Sequence, residues 1–170
     1  MNLAALIRDV PDFPIPGILF RDITPLLRDP AGLKQAIEQM AEPWREARVD
    51  LVAAMEARGF MFGAAMATLL GAGFVPVRKP GKLPWRTKSV TYSLEYREDV
   101  LQIHEDAVRP GERVLVVDDV IATGGTAAAV VELIDQLGGV VVGVQFLIEL
   151  ADLKGRDLLK NHQVNSLITY

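Results

Sequence analysis

The chain has 170 residues, enough for one domain with a sizeable core. Half of the residues are hydrophobic, which excludes an intrinsically disordered chain, and the net charge of −4 argues against nucleic acid or an anionic membrane as a partner. The sequence has no cysteine and only two histidines, His104 and His162, which we expect to be structural. Disulfides, a thiolate nucleophile and a three-histidine zinc site are therefore excluded, and the composition fits a reducing, cytoplasmic compartment.

The N-terminal part predicts helices on either side of a proline-rich loop. Residues 1–10 lack the basic start and long apolar run of a secretory signal, and residues 3–7 favour a short helix. Residues 11–17 contain three prolines and a glycine, which indicates an extended loop. Asp29 and Pro30 are typical of an N-cap and a first helical position. The apolar face of the helix that follows is formed by Leu33, Ile37, Met40 and Trp44.

The remainder alternates between apolar runs and helical stretches. Strands are predicted at 51–55, 74–77, 114–117 and 140–150, and helices at 61–70 and 125–137. Continuous apolar strands that alternate with helices indicate an α/β fold, a mainly parallel twisted sheet flanked by helices. We expect a single domain over residues 1–170, with ligands at the carboxyl ends of the strands.

One uncharged stretch admits a second interpretation. Residues 59–77 carry no charge, and 19 residues are long enough for a membrane span. The stretch is interrupted by several glycines and by Pro76, however, and the flanking charge is ordinary. We therefore expect a buried helix, a glycine break and the start of a buried strand, and no contact with a membrane.

A different pattern begins at residue 78. Residues 78–88 are basic and rich in turn formers, whereas residues 89–96 and 100–106 resemble two strands of a hairpin with residues 97–100 at its tip. A long projecting hairpin beside a site is a candidate lid. We expect this flap to cover residues 79–104.

The segment 114–126, VLVVDDVIATGGT, carries the strongest chemical signal. A buried strand is followed by a glycine turn and a helix start, where backbone amides and the helix dipole favour an anion. The candidate phosphate loop, residues 122–126, has no lysine and is therefore not a Walker A loop. Its members are Ala122, Thr123, Gly124, Gly125 and Thr126.

Two acids precede this loop. Asp118 and Asp119 stand where the strand is predicted to end, and carboxylates there can bind ribose hydroxyls or attract Mg2+. A phosphate loop beside such an acid pair indicates a ribose 5-phosphate site. The alternative is that Asp118 caps a turn and the glycines merely form it.

The segment 114–126 resembles the signature of the type I phosphoribosyltransferases. Further segments are similar to the adenine phosphoribosyltransferase family among them, and the resemblance covers the chain from about residue 11 to its end. These segments are FPIPGILFRDITPLL (13–27), EARGFMFGA (56–64), VRKPGKLP (77–84), YSLEY (92–96) and LIELADLKGRDLL (147–159).

The resemblance implies a reaction and a set of roles. Adenine and phosphoribosyl pyrophosphate would give AMP and pyrophosphate, with Glu95 exchanging the purine proton and Tyr96 covering the reacting centre. Asp118 and Asp119 would hold the ribose hydroxyls, near Mg2+ that arrives with the substrate rather than in a dedicated ligand set. Pyrophosphate would be bound by Arg58, Arg78, Lys79 and Lys82, and adenine by Leu19, Phe20, Arg21 and Leu150.

The resemblance also implies an N-terminal hood over residues 1–28 and a homodimer. Trp85 and Arg97 depart from the family pattern, and we expect Trp85 to pack under the flap or against a partner chain. Two alternatives stay open: a preference for hypoxanthine, guanine or xanthine, and a regulator that senses phosphoribosyl pyrophosphate without catalysis. A regulator would need a nucleic-acid-binding domain or a basic face, which neither the length nor the charge indicates.

Overall fold

A computed structural model describes residues 1–94 and 97–170. The strands that were predicted for the central sheet, and the helices between them, lie close to their predicted positions. The strands are Arg8–Val10 (β1), Phe20–Asp22 (β2), Leu51–Met55 (β3), Gly73–Val77 (β4), Thr87–Leu94 (β5), Arg97–His104 (β6), Arg113–Ile121 (β7), Val140–Glu149 (β8) and Val164–Thr169 (β9). The α-helices are Thr24–Arg28 (α1), Pro30–Ala41 (α2), Arg58–Leu70 (α3) and Gly125–Gln136 (α4), and short 3-10 helices cover Leu3–Leu6, Glu42–Trp44, Ala151–Leu153 and Gly155–Leu159.

The central sheet is parallel, with strand order β4-β3-β7-β8-β9. Its alternating side chains are buried on both faces. Ala53 packs into the cluster that contains α4, and Val52 into the cluster that contains α2 and α3. The predicted α/β fold is confirmed, and the carboxyl ends of β3 and β7 meet at one edge of the sheet.

The N-terminal helix signals are reproduced in detail. The Asp29 carboxylate accepts a hydrogen bond from the Gly32 amide at 2.7 Å, and Pro30 occupies the first position of α2. The uncharged stretch 59–77 forms α3, a left-handed C-cap at Gly71 and β4, as predicted. Within the described ranges, no helix is long and apolar enough to cross a membrane.

Three differences from the sequence expectations concern the strands. β7 extends through Asp118 and Asp119 to Ile121, because its ladder with β8 continues to the pair Ile121↔Glu149. Residues 97–100 belong to β6 rather than to the hairpin tip. The hood contains a short antiparallel pair, β1-β2, and the sheet ends in β9, neither of which was predicted.

Candidate active site

A cavity of about 400 Å³ opens at the carboxyl ends of β3 and β7. The residues that line it come from the end of β3, the start of α3, the end of β7 and the loop into α4. All five members of the phosphate loop lie on its wall, together with Asp118, Asp119 and Arg58. The structure therefore brings together the predicted phosphate loop, the acid pair and one of the predicted cations.

The phosphate loop leads directly into a helix N-terminus. Gly124 is the N-cap of α4 and has φ +85°, a left-handed conformation that favours glycine. Among residues 1–94 and 97–170, no side chain caps this end of α4, which leaves its first amides directed at an anion in the cavity. The Thr126 hydroxyl donates to the Tyr92 hydroxyl of β5 at 3.4 Å, which links the loop to the flap.

Both carboxylates of the acid pair interact with neighbouring groups of the site. Asp119 is buried and forms an ion pair with the half-exposed Arg58. The Asp118 carboxylate accepts a hydrogen bond from the Asp119 amide at 2.9 Å and lies under Gly59, where a Cβ atom would come within 2.8 Å of Oδ1. Burial and the charge of Asp119 raise the pKa of Asp118 well above its usual value. Removal of Arg58 from Asp119 would therefore leave two carboxylates without a counter-charge at the cavity wall.

Two of the remaining predicted cations, Arg78 and Lys82, meet at Glu56, which also lines the cavity. Glu56 lies 3.3 Å from Arg78 Nε and 3.8 Å from Lys82 Nζ, and it accepts the Lys79 amide hydrogen at 2.7 Å. Burial alone would raise the pKa of Glu56, but these donors and charges together lower it, so Glu56 is ionised at neutral pH. The Lys79 ammonium lies 3.3 Å from Asp99 of β6.

None of the predicted adenine residues lines the cavity, and one of them, Phe20, lies next to it. The Arg58 guanidinium lies 5.5 Å from the centre of the Phe20 ring, so Phe20 is adjacent to the site, whereas Leu19 is exposed. Arg21 pairs with Asp9 and stacks on Tyr170, with its guanidinium carbon 3.8 Å from the ring centre. Leu150 packs at the edge of the cluster that contains the hood.

The remaining expectations concern the flap residues and a metal site. Glu95 and Tyr96 lie outside the described residues, so their roles stay predictions. Trp85 is 65% exposed and does not pack under the flap, so packing against a partner chain stays a prediction. The Trp85 amide donates to His104 Nε2 at 3.3 Å, a contact that suits a structural role for His104. Within residues 1–94 and 97–170, no group of three or more acidic, histidine or cysteine side chains could hold a metal ion.

Two groups of polar residues around the site were not anticipated. Glu56 holds two of the basic groups, those of Arg78 and Lys82, and a buried carboxylate, Glu149, pairs with Arg156 behind the phosphate loop. Glu56 and Arg156 lie inside two of the segments that resemble the family, 56–64 and 147–159, so the sequence did point to this part of the chain. Their partners were not predictable, because 22 residues separate Glu56 from Arg78.

Comparison with known proteins agrees with this geometry. The protein-family model of the phosphoribosyl transferase domain matches residues 24–168 of this chain. The chain is 56% identical to an adenine phosphoribosyltransferase of Thermotoga petrophila, over the full length of both chains. The crystal structure of adenine phosphoribosyltransferase from Thermoanaerobacter pseudethanolicus superposes with a TM-score of 0.96 at 52% identity, covering 99% of this chain and 98% of that one.

A third relative was solved with ligands. The enzyme from Saccharomyces cerevisiae, complexed with D-2,5-dideoxy-2,5-imino-altritol 1,6-bisphosphate and adenine, has a TM-score of 0.91 and 42% identity. That match covers 97% of this chain and 96% of the yeast chain. From the matched domain, the full-length identity and the shared fold, it follows that this chain belongs to the adenine phosphoribosyltransferase family.

Proposed function

We propose that this chain transfers the 5-phosphoribosyl group of phosphoribosyl pyrophosphate to adenine, giving AMP and pyrophosphate in purine salvage. The observation that carries the proposal is the cavity that joins a helix N-terminus, an acid pair and Arg58 at one sheet edge. A helix start suits the 5-phosphate, carboxylates suit the ribose hydroxyls, and arginine suits pyrophosphate. The yeast relative, with adenine and a bisphosphate ligand, supports the same substrates.

In the reaction, a ring nitrogen of adenine forms a bond to the anomeric carbon of the ribose. The bond from that carbon to the pyrophosphate oxygen breaks, and its electron pair leaves with pyrophosphate. The ring proton of adenine passes to a carboxylate, the role proposed for Glu95, while Tyr96 excludes water. The phosphate loop, residues 122–126, anchors the distant 5-phosphate and thereby positions the reacting carbon.

The basic residues stabilise the leaving group. Arg58 lies on the cavity wall, and Arg78 and Lys82 are held beside it by Glu56. As pyrophosphate departs, these guanidinium and ammonium groups compensate the negative charge that develops on its oxygen atoms. Lys79 belongs to the same basic segment. We expect adenine to lie against Leu19, Phe20 and Arg21, with Leu150 on its far side and backbone groups near Phe20 and Arg21 at its amino edge.

The proposal includes Mg2+ as a component of the substrate complex. Two adjacent carboxylates supply fewer oxygen ligands than Mg2+ requires, so Asp118 and Asp119 would hold the ion together with substrate oxygens and water. When bound, Mg2+ supplies positive charge that neutralises the pyrophosphate. We expect excess EDTA to abolish turnover and added Mg2+ to restore it, whereas full activity in EDTA would refute this part.

A homodimer in the cytoplasm completes the proposal. The hood exposes apolar side chains that a second copy would cover, namely Phe13, Ile15 and Ile18. Sedimentation analysis should give twice the mass of one chain. The absence of cysteine suits a reducing compartment.

The activity is tested by parallel assays of phosphoribosyl pyrophosphate with adenine, hypoxanthine, guanine and xanthine. We expect AMP formation to exceed the product formed with every 6-oxopurine. Faster reaction with a 6-oxopurine would refute the adenine assignment, and no product with any base would favour a regulator that binds the substrate without catalysis.

A further inference from the structure

The phosphate loop rests directly on a C-terminal segment. A Cβ atom on Gly124 would lie 2.2 Å from the carbonyl oxygen of Gly155, and one on Gly155 would lie 2.4 Å from that of Ala122. Two backbones therefore touch with no side chain between them. Gly155 forms the outer wall of the loop, and a displacement of Gly155 would move Gly124 with it.

The neighbouring residue, Arg156, fastens this wall to the sheet. Its Nε and Nη2 atoms each donate to a different oxygen of Glu149 at 2.6 Å, which is the bidentate geometry of a strong pair. Its Nη1 atom donates to the carbonyl of Val164, and the Ser166 hydroxyl donates to Glu149. Arg156 thus connects the segment behind the phosphate loop to the end of β8 and to β9.

The Glu149 carboxylate has a fixed position and a fixed charge. Its side chain is 12% exposed, and it stands at the end of β8, opposite Ile121 at the root of the phosphate loop. Hydrogen bonds from Arg156 hold the pKa of Glu149 below its usual value despite burial. A buried carboxylate with a forked partner defines one orientation, whereas an exposed ion pair on a flexible side chain does not.

We propose that the Arg156–Glu149 pair is a positioning device for the phosphate loop. By holding Gly155 against Gly124, the pair keeps the amides at the start of α4 in the geometry that receives the 5-phosphate. Arg156 is a positioning residue, since it does not line the cavity. The inference rests on the proposed function, because it assigns a support to the 5-phosphate site of that function.

The test is calorimetric titration of the full chain with ribose 5-phosphate. This ligand occupies the phosphate loop and leaves the pyrophosphate site empty. We expect Arg156→Met to raise the Kd between about tenfold and a hundredfold, the effect of a displacement of about 1 Å. Arg156→Lys, which retains the charge but not the fork, should give an intermediate Kd. The matched control is Lys160→Met, because Lys160 is exposed and lies 3.8 Å from Asp157.

Calorimetry and thermal unfolding together separate positioning from stability. If the pair only stabilised the fold, the apparent Kd of Arg156→Met would rise by no more than the inverse of the folded fraction that thermal unfolding gives at the titration temperature. In steady-state assays, we expect the KM for phosphoribosyl pyrophosphate to rise with the Kd, while the KM for adenine stays within about threefold.

The outcomes distinguish the inference from the proposed function. A wild-type Kd in both Arg156 variants would overturn the inference and leave the proposed function intact. Arg156→Lys alone decides the question if Arg156→Met does not fold. Failure of the wild-type chain to bind ribose 5-phosphate would overturn the phosphate site itself and, with it, the inference.

Discussion

Replacement of Gly124 by alanine tests the phosphate loop most directly. An alanine there would adopt a left-handed conformation, φ +85°, which costs about 1–2 kcal/mol. Its Cβ atom would also lie 2.2 Å from the Gly155 carbonyl oxygen, and non-bonded atoms do not approach a Cβ within 3.0 Å. The two backbones would therefore have to separate by about 0.8 Å.

The chain offers a matched control. Gly111 has φ +86°, and a Cβ atom on it would meet nothing within 4 Å. Gly111→Ala therefore carries the conformational cost without the clash, and it precedes β7 at the end opposite the cavity. We expect Gly111→Ala to lower the melting temperature by roughly 2–8 °C and to leave binding unchanged.

Gly124→Ala should lower the melting temperature further and also lose affinity. A displacement of this size in the loop predicts a Kd for ribose 5-phosphate about a hundredfold higher, equivalent to about 2.7 kcal/mol. Calorimetry and thermal unfolding of the two variants separate the steric effect from the conformational one. Equal affinities of Gly124→Ala and Gly111→Ala would refute the assignment of this loop to the 5-phosphate.

Three further substitutions test other parts of the site. Glu95→Gln should lower kcat about a hundredfold with substrate binding retained, and an unchanged kcat would remove Glu95 from the mechanism. Asp118→Asn should raise the free energy of unfolding by about 1 kcal/mol at pH 7, because the raised pKa of Asp118 means that the ionised form opposes folding. Thermal unfolding should show this gain shrinking as the pH falls from the raised pKa of Asp118 towards 4, and vanishing at lower pH where the carboxyl is protonated in both the folded and the unfolded chain; a gain independent of pH would contradict it. Glu56→Gln should raise the KM for phosphoribosyl pyrophosphate more than that for adenine, because Arg78 and Lys82 lose a shared anchor, and equal changes would contradict that role.

The sheet core was predictable because its strands are buried on both faces. β3 coincides with the predicted range 51–55, since a continuous apolar run bounded by polar residues has few alternatives. The end of β7 was not predictable, because Asp118 and Asp119 appeared to end the strand at residue 117. Backbone pairing with β8 extends the strand four residues further, to Ile121. β9 was missed because its sequence, VNSLIT, mixes polar and apolar residues, as suits the edge of a sheet.

The candidate site divides in the same way. The role of Gly124 was predictable, because a phosphate loop requires a backbone conformation that favours glycine and therefore leaves a recognisable glycine-rich sequence. The partners of Glu56 and Glu149 were not predictable from the sequence. They depend on how β3, β8 and the loops pack, and residue spacing does not determine that packing.

The ion pairs around the cavity explain how a site for a highly charged substrate coexists with a stable fold. Arg58 is paired with Asp119, and Arg78 and Lys82 share Glu56. Substrate binding at Arg58 therefore exchanges partners: phosphate oxygens displace the Asp119 carboxylate, and ribose hydroxyls or Mg2+ take it up, whereas Glu56 stays in place as the anchor of Arg78 and Lys82. The exchange at Arg58 yields less net affinity than binding to a free cation, because the pair with Asp119 is broken first. It favours a ligand that supplies phosphate, pyrophosphate and ribose together, so the arrangement selects for the complete substrate over its fragments.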